Sequence, residues 1–291
     1  MNPILFRRIL VGSAFVSLIF IASKLGAGHD WPALADSDPV SVSANIPPTK
    51  PRFEDYGRER LKEYLDACLI TETVPEVIWT FWFGPKGMSE NRYKAFSTMQ
   101  QRLVVPVIML TDRNVSDYLR WPVNPFVHFL SGIHRADYFR IYFMLHYGGG
   151  YTDVKNMGES WEPHFKQFEN PDVWMIGAPE IQGGVAWMPG PEWPGDDYYK
   201  KMISNCFMIS RQNNQFLKEV HDMQNEILNK KADDLIAHPP PDPGRCCQGI
   251  DPQGYPIRWA ELLGELMAFV GQKYYTHFTR VMKFPSIGNY I

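Results

Sequence analysis

Ser131-Gly-Ile-His-Arg-Ala-Asp-Tyr-Phe-Arg140, Ile-Tyr-Phe-Met-Leu-His-Tyr-Gly-Gly-Gly150 and Tyr-Thr-Asp-Val-Lys-Asn156 run consecutively through the middle of the chain. They read as a helix, a glycine stop and a short strand that ends on an acid. Residues 132–147 are dense in apolar and aromatic side chains, and Asp137, Arg140 and Met144 are spaced to share one helical face. Gly148, Gly149 and Gly150 stop the helix, since glycine tolerates the left-handed cap conformation. Tyr151 and Thr152 suit an extended strand with Asp153 at its tip. An acid–base pair on a helix is thus carried toward an acid at a strand end, and strand ends are where open α/β sheets place ligands.

Working outward, residues 53–70 carry the apolar stripe of a helix. Residues 77–83 form a near-continuous apolar run after Pro75, as expected of a strand buried on both faces. A helix over 89–102, capped by Ser89, and a strand over 103–110 follow. Strand, helix, strand in that order implies parallel pairing. Further strands are expected over 173–177 and 204–209, and helices over 215–230 and 255–271. Residues 189–197 and 237–254 read as loops rich in proline and glycine.

These residues resemble a family of glycosyltransferases whose sugar-binding region contains a DXD motif. Its members include yeast initiation mannosyltransferases, capsular polysaccharide synthesis proteins and, more distantly, the clostridial glucosylating toxins. The carrying residues are Ala136-Asp137-Tyr-Phe-Arg140 and Gly149-Gly150-Tyr151-Thr-Asp153-Val-Lys155, and the likeness spans residues 74–270. It implies a nucleotide-sugar-binding, GT-A-like α/β fold: a mostly parallel sheet flanked by helices. It implies transfer of a hexose from a nucleotide-diphosphate sugar to a glycan hydroxyl, on a glycolipid or glycoprotein acceptor, with retention of anomeric configuration. Asp137, Arg140 and Asp153 would be the catalytic group. Trp82, Tyr151, Lys155 and Asn205 would join them in binding the donor. A catalytically silent nucleotide-sugar-binding protein and a membrane-anchored scaffold in glycan synthesis are the alternatives.

Lys155 is the departure. The family carries a second acid there as a direct metal ligand, and a protonated lysine offers three donors and no acceptor. Mn²⁺ or Mg²⁺ remains a candidate cofactor on Asp153, with His277 as a possible further ligand. Otherwise Lys155 itself offsets diphosphate charge, or the site has lost catalysis.

The N-terminal residues suggest an anchor. Arg7 and Arg8 precede an uncharged apolar run over 9–23. Residues 1–25 therefore read as a signal-anchor, 26–52 as a proline-rich stem and 53–291 as the catalytic domain. The basic flank implies a single-pass type II protein whose catalytic domain faces the Golgi lumen or an equivalent compartment. Signal cleavage and secretion is the alternative. A lumenal site would permit a disulfide from Cys68 to Cys246 or Cys247, and Asn114-Val-Ser116 matches a glycosylation sequon. The net charge of -3 offers no electrostatic footprint for nucleic acid.

Overall fold

The structure, a computed structural model, describes residues 58–182, 184, 198–240 and 254–284. The main elements in chain order are α1 (Arg58–Thr71), β1 (Ile78–Trp82), α2 (Glu90–Arg102), β2 (Val107–Thr111), α3 (Gly132–His146), β3 (Gly149–Thr152), α4 (Glu162–Phe165), β4 (Met175–Pro179), β5 (Ile203–Ser210), α5 (Gln215–Lys230), α6 (Ala232–Ala237), α7 (Gly264–Tyr274) and β6 (Phe278–Arg280).

The strands form one sheet in the order β2-β1-β3-β5-β4-β6. β1 pairs in parallel with β2 and β3, and β4 pairs in parallel with β6. β5 lies antiparallel between β3 and β4. The expected mostly parallel, GT-A-like sheet is therefore corrected to a mixed sheet. The physical reason lies in the segment joining β4 to β5. There the chain leaves β4 at Pro179 and re-enters beside it at Ile203, the antiparallel partner of that same residue, so the two strand ends meet at one edge instead of crossing to the other.

The two faces of the sheet bury separate cores. Trp79, Phe81 and Met208 point to the face covered by α1, α3, α5 and α7. Ile78, Phe207 and Ile209 point to the face covered by α2 and α4. This alternation is the period of two that a pleated strand imposes. α3 is buried almost all round, from Tyr138 to Leu145, as expected of a helix apolar on every side. Ser131 caps it by accepting from His134 N at 3.3 Å. At its other end Gly148 and Gly149 adopt φ of 74° and 88°. A Cβ on Gly149 would stand 2.9 Å from the Val77 carbonyl oxygen, so no other residue lets the chain turn from α3 straight into β3 against β1.

Several sequence expectations shift. β2 begins only after Pro106, which has no amide hydrogen to give the ladder. Residues 255–263 do not continue into α7; instead Tyr255 is buried and its hydroxyl meets Ser131 N and His134 Nδ1. Asn114 folds under the end of β2, donating to Met109 O and accepting from Thr111 N, so its amide is committed to the turn. Cys68 and Cys206 are free thiols, which overturns the Cys68 bridge; Cys246 and Cys247 lie outside the described residues. So do the loop over 189–197 and residues 241–253 of the later one.

No helix among the described residues is long and apolar enough to cross a membrane. The single-pass type II reading is corrected accordingly, and with it the membrane as a partner and the Golgi-lumenal placement that followed from an anchor. The apolar run that prompted it is itself shorter than the ~20 residues a span wants. The anchor and stem, residues 1–52, lie outside the described residues.

Candidate functional site

The registers bring several strand termini to one edge of the sheet. Trp82 pairs with Thr111, Thr152 with Phe207, and Pro179 with Ile203. The C-terminal ends of β1 to β4 and the N-terminal end of β5 therefore lie together. Asp153 extends the β3 ladder by one bond, its amide donating to Cys206 O at 2.9 Å. α3 then lays Asp137 and Arg140 over this edge.

Arg140 is the centre of the cluster. Its guanidinium lies over the Tyr151 ring, 4.1 Å from the centroid. It donates through Nη1 to Asn205 O, and through Nη2 to Asp137 Oδ1 at 3.1 Å and to Asp153 Oδ1 at 3.4 Å. Its Nε is buried without a hydrogen-bond partner, so one donor is unspent. Buried polar groups are ordinarily satisfied, which makes that atom a marker of a site. Burial opposes the Arg140 charge, but Tyr151, Asp153 and Asp137 around it outweigh this and hold its pKa above the ordinary guanidinium value.

Asp137 is only 7% exposed. Burial pushes its carboxyl up to about 6, against the pull of Arg140 and with the push of Asp153. Its main-chain carbonyl accepts from Gln224 Nε2 at 3.2 Å, and the same amide reaches Leu262 O at 2.7 Å. One glutamine thereby ties α3 and α5 to the segment ahead of α7. Tyr151 stays protonated because burial raises its pKa well above the ordinary phenol. It donates to Asp153 Oδ1 at 2.6 Å. Lys155 Nζ stands 3.3 Å from the other carboxylate oxygen, Asp153 Oδ2.

The structure thus brings together Asp137, Arg140, Tyr151, Asp153, Lys155 and the Asn205 carbonyl. It does not bring in Trp82 or His277. The Trp82 side chain belongs to the α2 face of the sheet, and its indole donates to Lys86 O at 2.7 Å. His277 precedes β6, whose Phe278 pairs with Met175 at the start of β4. It therefore sits at the opposite end of the sheet, stacked on Trp174 and bonded to Asp172 O.

Three further neighbours stand near the site, and of these Glu180 escaped sequence reading. Glu180 follows β4 and lines a small cavity with Asn205 and Met202; its burial raises its carboxyl pKa, opposed first by the hydrogen bond from Ile181 N and then by the Lys155 charge. Asp112 follows β2, accepts from the Gly84 amide at 2.8 Å and pairs with Arg135. Arg135 in turn lies over Phe83. No short motif marks these residues, since only the mixed sheet makes them neighbours.

A divalent ion asks for several oxygen ligands. The one candidate carboxylate, Asp153, already has a phenol and a guanidinium on one oxygen and an ammonium near the other. Among the described residues no group of three or more His, Cys, Asp or Glu is placed to hold a metal. The donor set does not fit Mn²⁺ or Mg²⁺. No known protein family matches the chain, and no curated protein matches it significantly.

Proposed function

We propose that this chain is a glycosyltransferase that moves a hexose from a nucleotide-diphosphate sugar to a glycan hydroxyl, with retention of configuration. The observation that carries the reading is the buried Arg140 between Asp137 and Asp153, with Nε unspent, at an edge of strand termini. Such a transfer breaks a bond to a diphosphate, so negative charge grows on the leaving group while the anomeric carbon becomes cationic. Fixed cations near the leaving group stabilise that change more than they stabilise the ground state. Arg140 and Lys155 are the cations in reach. Asp137, with its carboxyl raised to about 6, is mostly ionised at neutral pH and accepts hydrogen bonds from sugar hydroxyls. The resemblance in Asp137, Arg140, Tyr151 and Asp153 supports the same assignment.

The test is turnover and thermal melting of the chain with a panel of nucleotide-diphosphate sugars and glycan acceptors. One donor should raise the melting temperature and be consumed. Asp153→Ala should cut turnover by about 10²–10³-fold, the size expected for loss of a polar group at the reacting centre, with melting of the free protein little changed. No shift and no turnover with any donor would remove the proposal. A second reading, a catalytically silent binder, is favoured by the engagement of both Asp153 oxygens. It gives a melting shift without turnover.

A further inference from the structure

The misfit between this site and a divalent cation has a specific cause in Lys155. We propose that the Lys155 ammonium takes the place and the charge of a divalent cation, so that the site binds a nucleoside diphosphate with no metal ion. The inference rests on the functional reading just given.

The charge arithmetic is direct. A carboxylate at position 155 would leave Asp137, Arg140, Asp153 and residue 155 with a net charge of about -2 at neutral pH, from the ordinary ionisation of these groups. A divalent cation would bring that set to zero. Lysine in place of the acid changes the charge by two, and the set is neutral with no ion added. An anionic ligand therefore meets the same total charge in both cases.

Geometry keeps the ammonium in place. The Lys155 side chain is only 15% exposed and reaches Asp153 Oδ2 at 3.3 Å. The turn that carries it is fixed on three sides. Asp153 N donates to Cys206 O, Thr152 Oγ1 donates to Asp153 O at 2.9 Å, and Arg92 Nη1 from α2 donates to Val154 O at 2.7 Å. A mostly buried lysine on a fixed turn is not the solvated lysine of an ordinary loop. An ion seated against Asp153 would have to displace that ammonium and stand beside Arg140.

The experiment uses the full chain, with uridine and guanosine diphosphates as probes. Affinity is measured calorimetrically in EDTA and again in Mn²⁺. Capture of Mn²⁺ itself is followed by the loss of the free-ion electron paramagnetic resonance signal. The wild-type chain should bind one diphosphate equally well in both conditions and capture no Mn²⁺. Lys155→Met should bind it about tenfold or more weakly in both, the size of a lost charged hydrogen bond. Lys155→Asp should bind only with Mn²⁺ and should capture the ion. Melting curves confirm that each variant is folded, and Lys155→Met serves if Lys155→Asp is not. Capture of Mn²⁺ by the wild-type chain, a metal requirement for its diphosphate binding, or full affinity in Lys155→Met would each overturn the inference. If no chain binds either diphosphate, the functional reading falls. The ion signal then still decides on Lys155: capture by Lys155→Asp but not by wild type upholds its place, and any other pattern rejects it.

Discussion

Gly149 shows how closely the site depends on one absent methyl group. Its φ of 88° lies in the region that L side chains rarely adopt, and a Cβ there would meet the Val77 carbonyl oxygen at 2.9 Å. The same residue starts β3, which ends at Thr152, directly before Asp153. Gly149→Ala should therefore destabilise the chain by about 1–3 kcal/mol or more, read as a lower urea midpoint. An unchanged midpoint would mean that the turn from α3 to β3 is not the constrained point described here. The variant should also weaken ligand-induced stabilisation, because strain at the start of β3 is transmitted to the carboxylate at its end. Asp137 makes a different residue-scale case. Its folded pKa of about 6 lies above the 3.8 of an ordinary aspartate. Its contribution to stability is thus fully present below the unfolded pKa and is lost as pH rises through about 6. Asp137→Asn should be more stable relative to wild type at pH 7 than at pH 4. No change in that difference between the two pH values would contradict a buried, desolvated carboxyl.

At the scale of the element, α3 carries groups that titrate in opposite directions. His134 and His146 both sit at about 4, lowered from 6.5 chiefly by burial. His134 faces Tyr255, with Glu261 and Lys231 nearby, while His146 stacks on Trp121 and faces Tyr142 and His221. The His221 pKa is lowered too, again by burial. A depressed histidine gives stability that is present above the unfolded pKa and lost as pH falls toward the folded value. Asp137 works against this over part of the same window. Two histidines on α3, and a third on α5, outnumber one aspartate with a shift of similar size. The chain should accordingly melt at a lower temperature at pH 4.5 than at pH 7, and His134→Gln should flatten that slope. A melting temperature that rises on acidification would show Asp137 to dominate. The helix itself was legible in the sequence, because an apolar run of that length between Ser131 and a glycine triplet has few other solutions. Its histidines were not legible as buried groups. Their desolvation comes from Trp121, Tyr255 and His221, which no local spacing connects to α3.

At the scale of the molecule, the sequence marked most strands and helices but not the direction of β5. Residues 204–209 are apolar enough for a strand in either sense, and the neighbours of a strand are fixed by packing rather than by its own residues. That one reversal sets Asp153 against Cys206 beside Asn205 and lets Glu180 and Asn205 line one small cavity, which explains why Glu180 was missed. It also separates the two ends of the sheet. His277 is held by Trp174 and Asp172 at one end, and Arg140, Asp153 and Lys155 at the other. Effects at sites with no shared partner ordinarily add. His277→Ala should therefore lower the melting temperature through loss of its stacking on Trp174, and leave the shift induced by a nucleotide-diphosphate sugar unchanged. Asp153→Ala should abolish most of that shift. In the double variant the two effects should sum: the melting loss of the first and the ligand loss of the second, with no coupling between them. Melting curves of the four chains with and without ligand measure this directly. A ligand shift that shrinks in His277→Ala alone would place His277 in contact with the bound state and would put the two ends of the sheet in communication, contrary to the register of β4, β5 and β6.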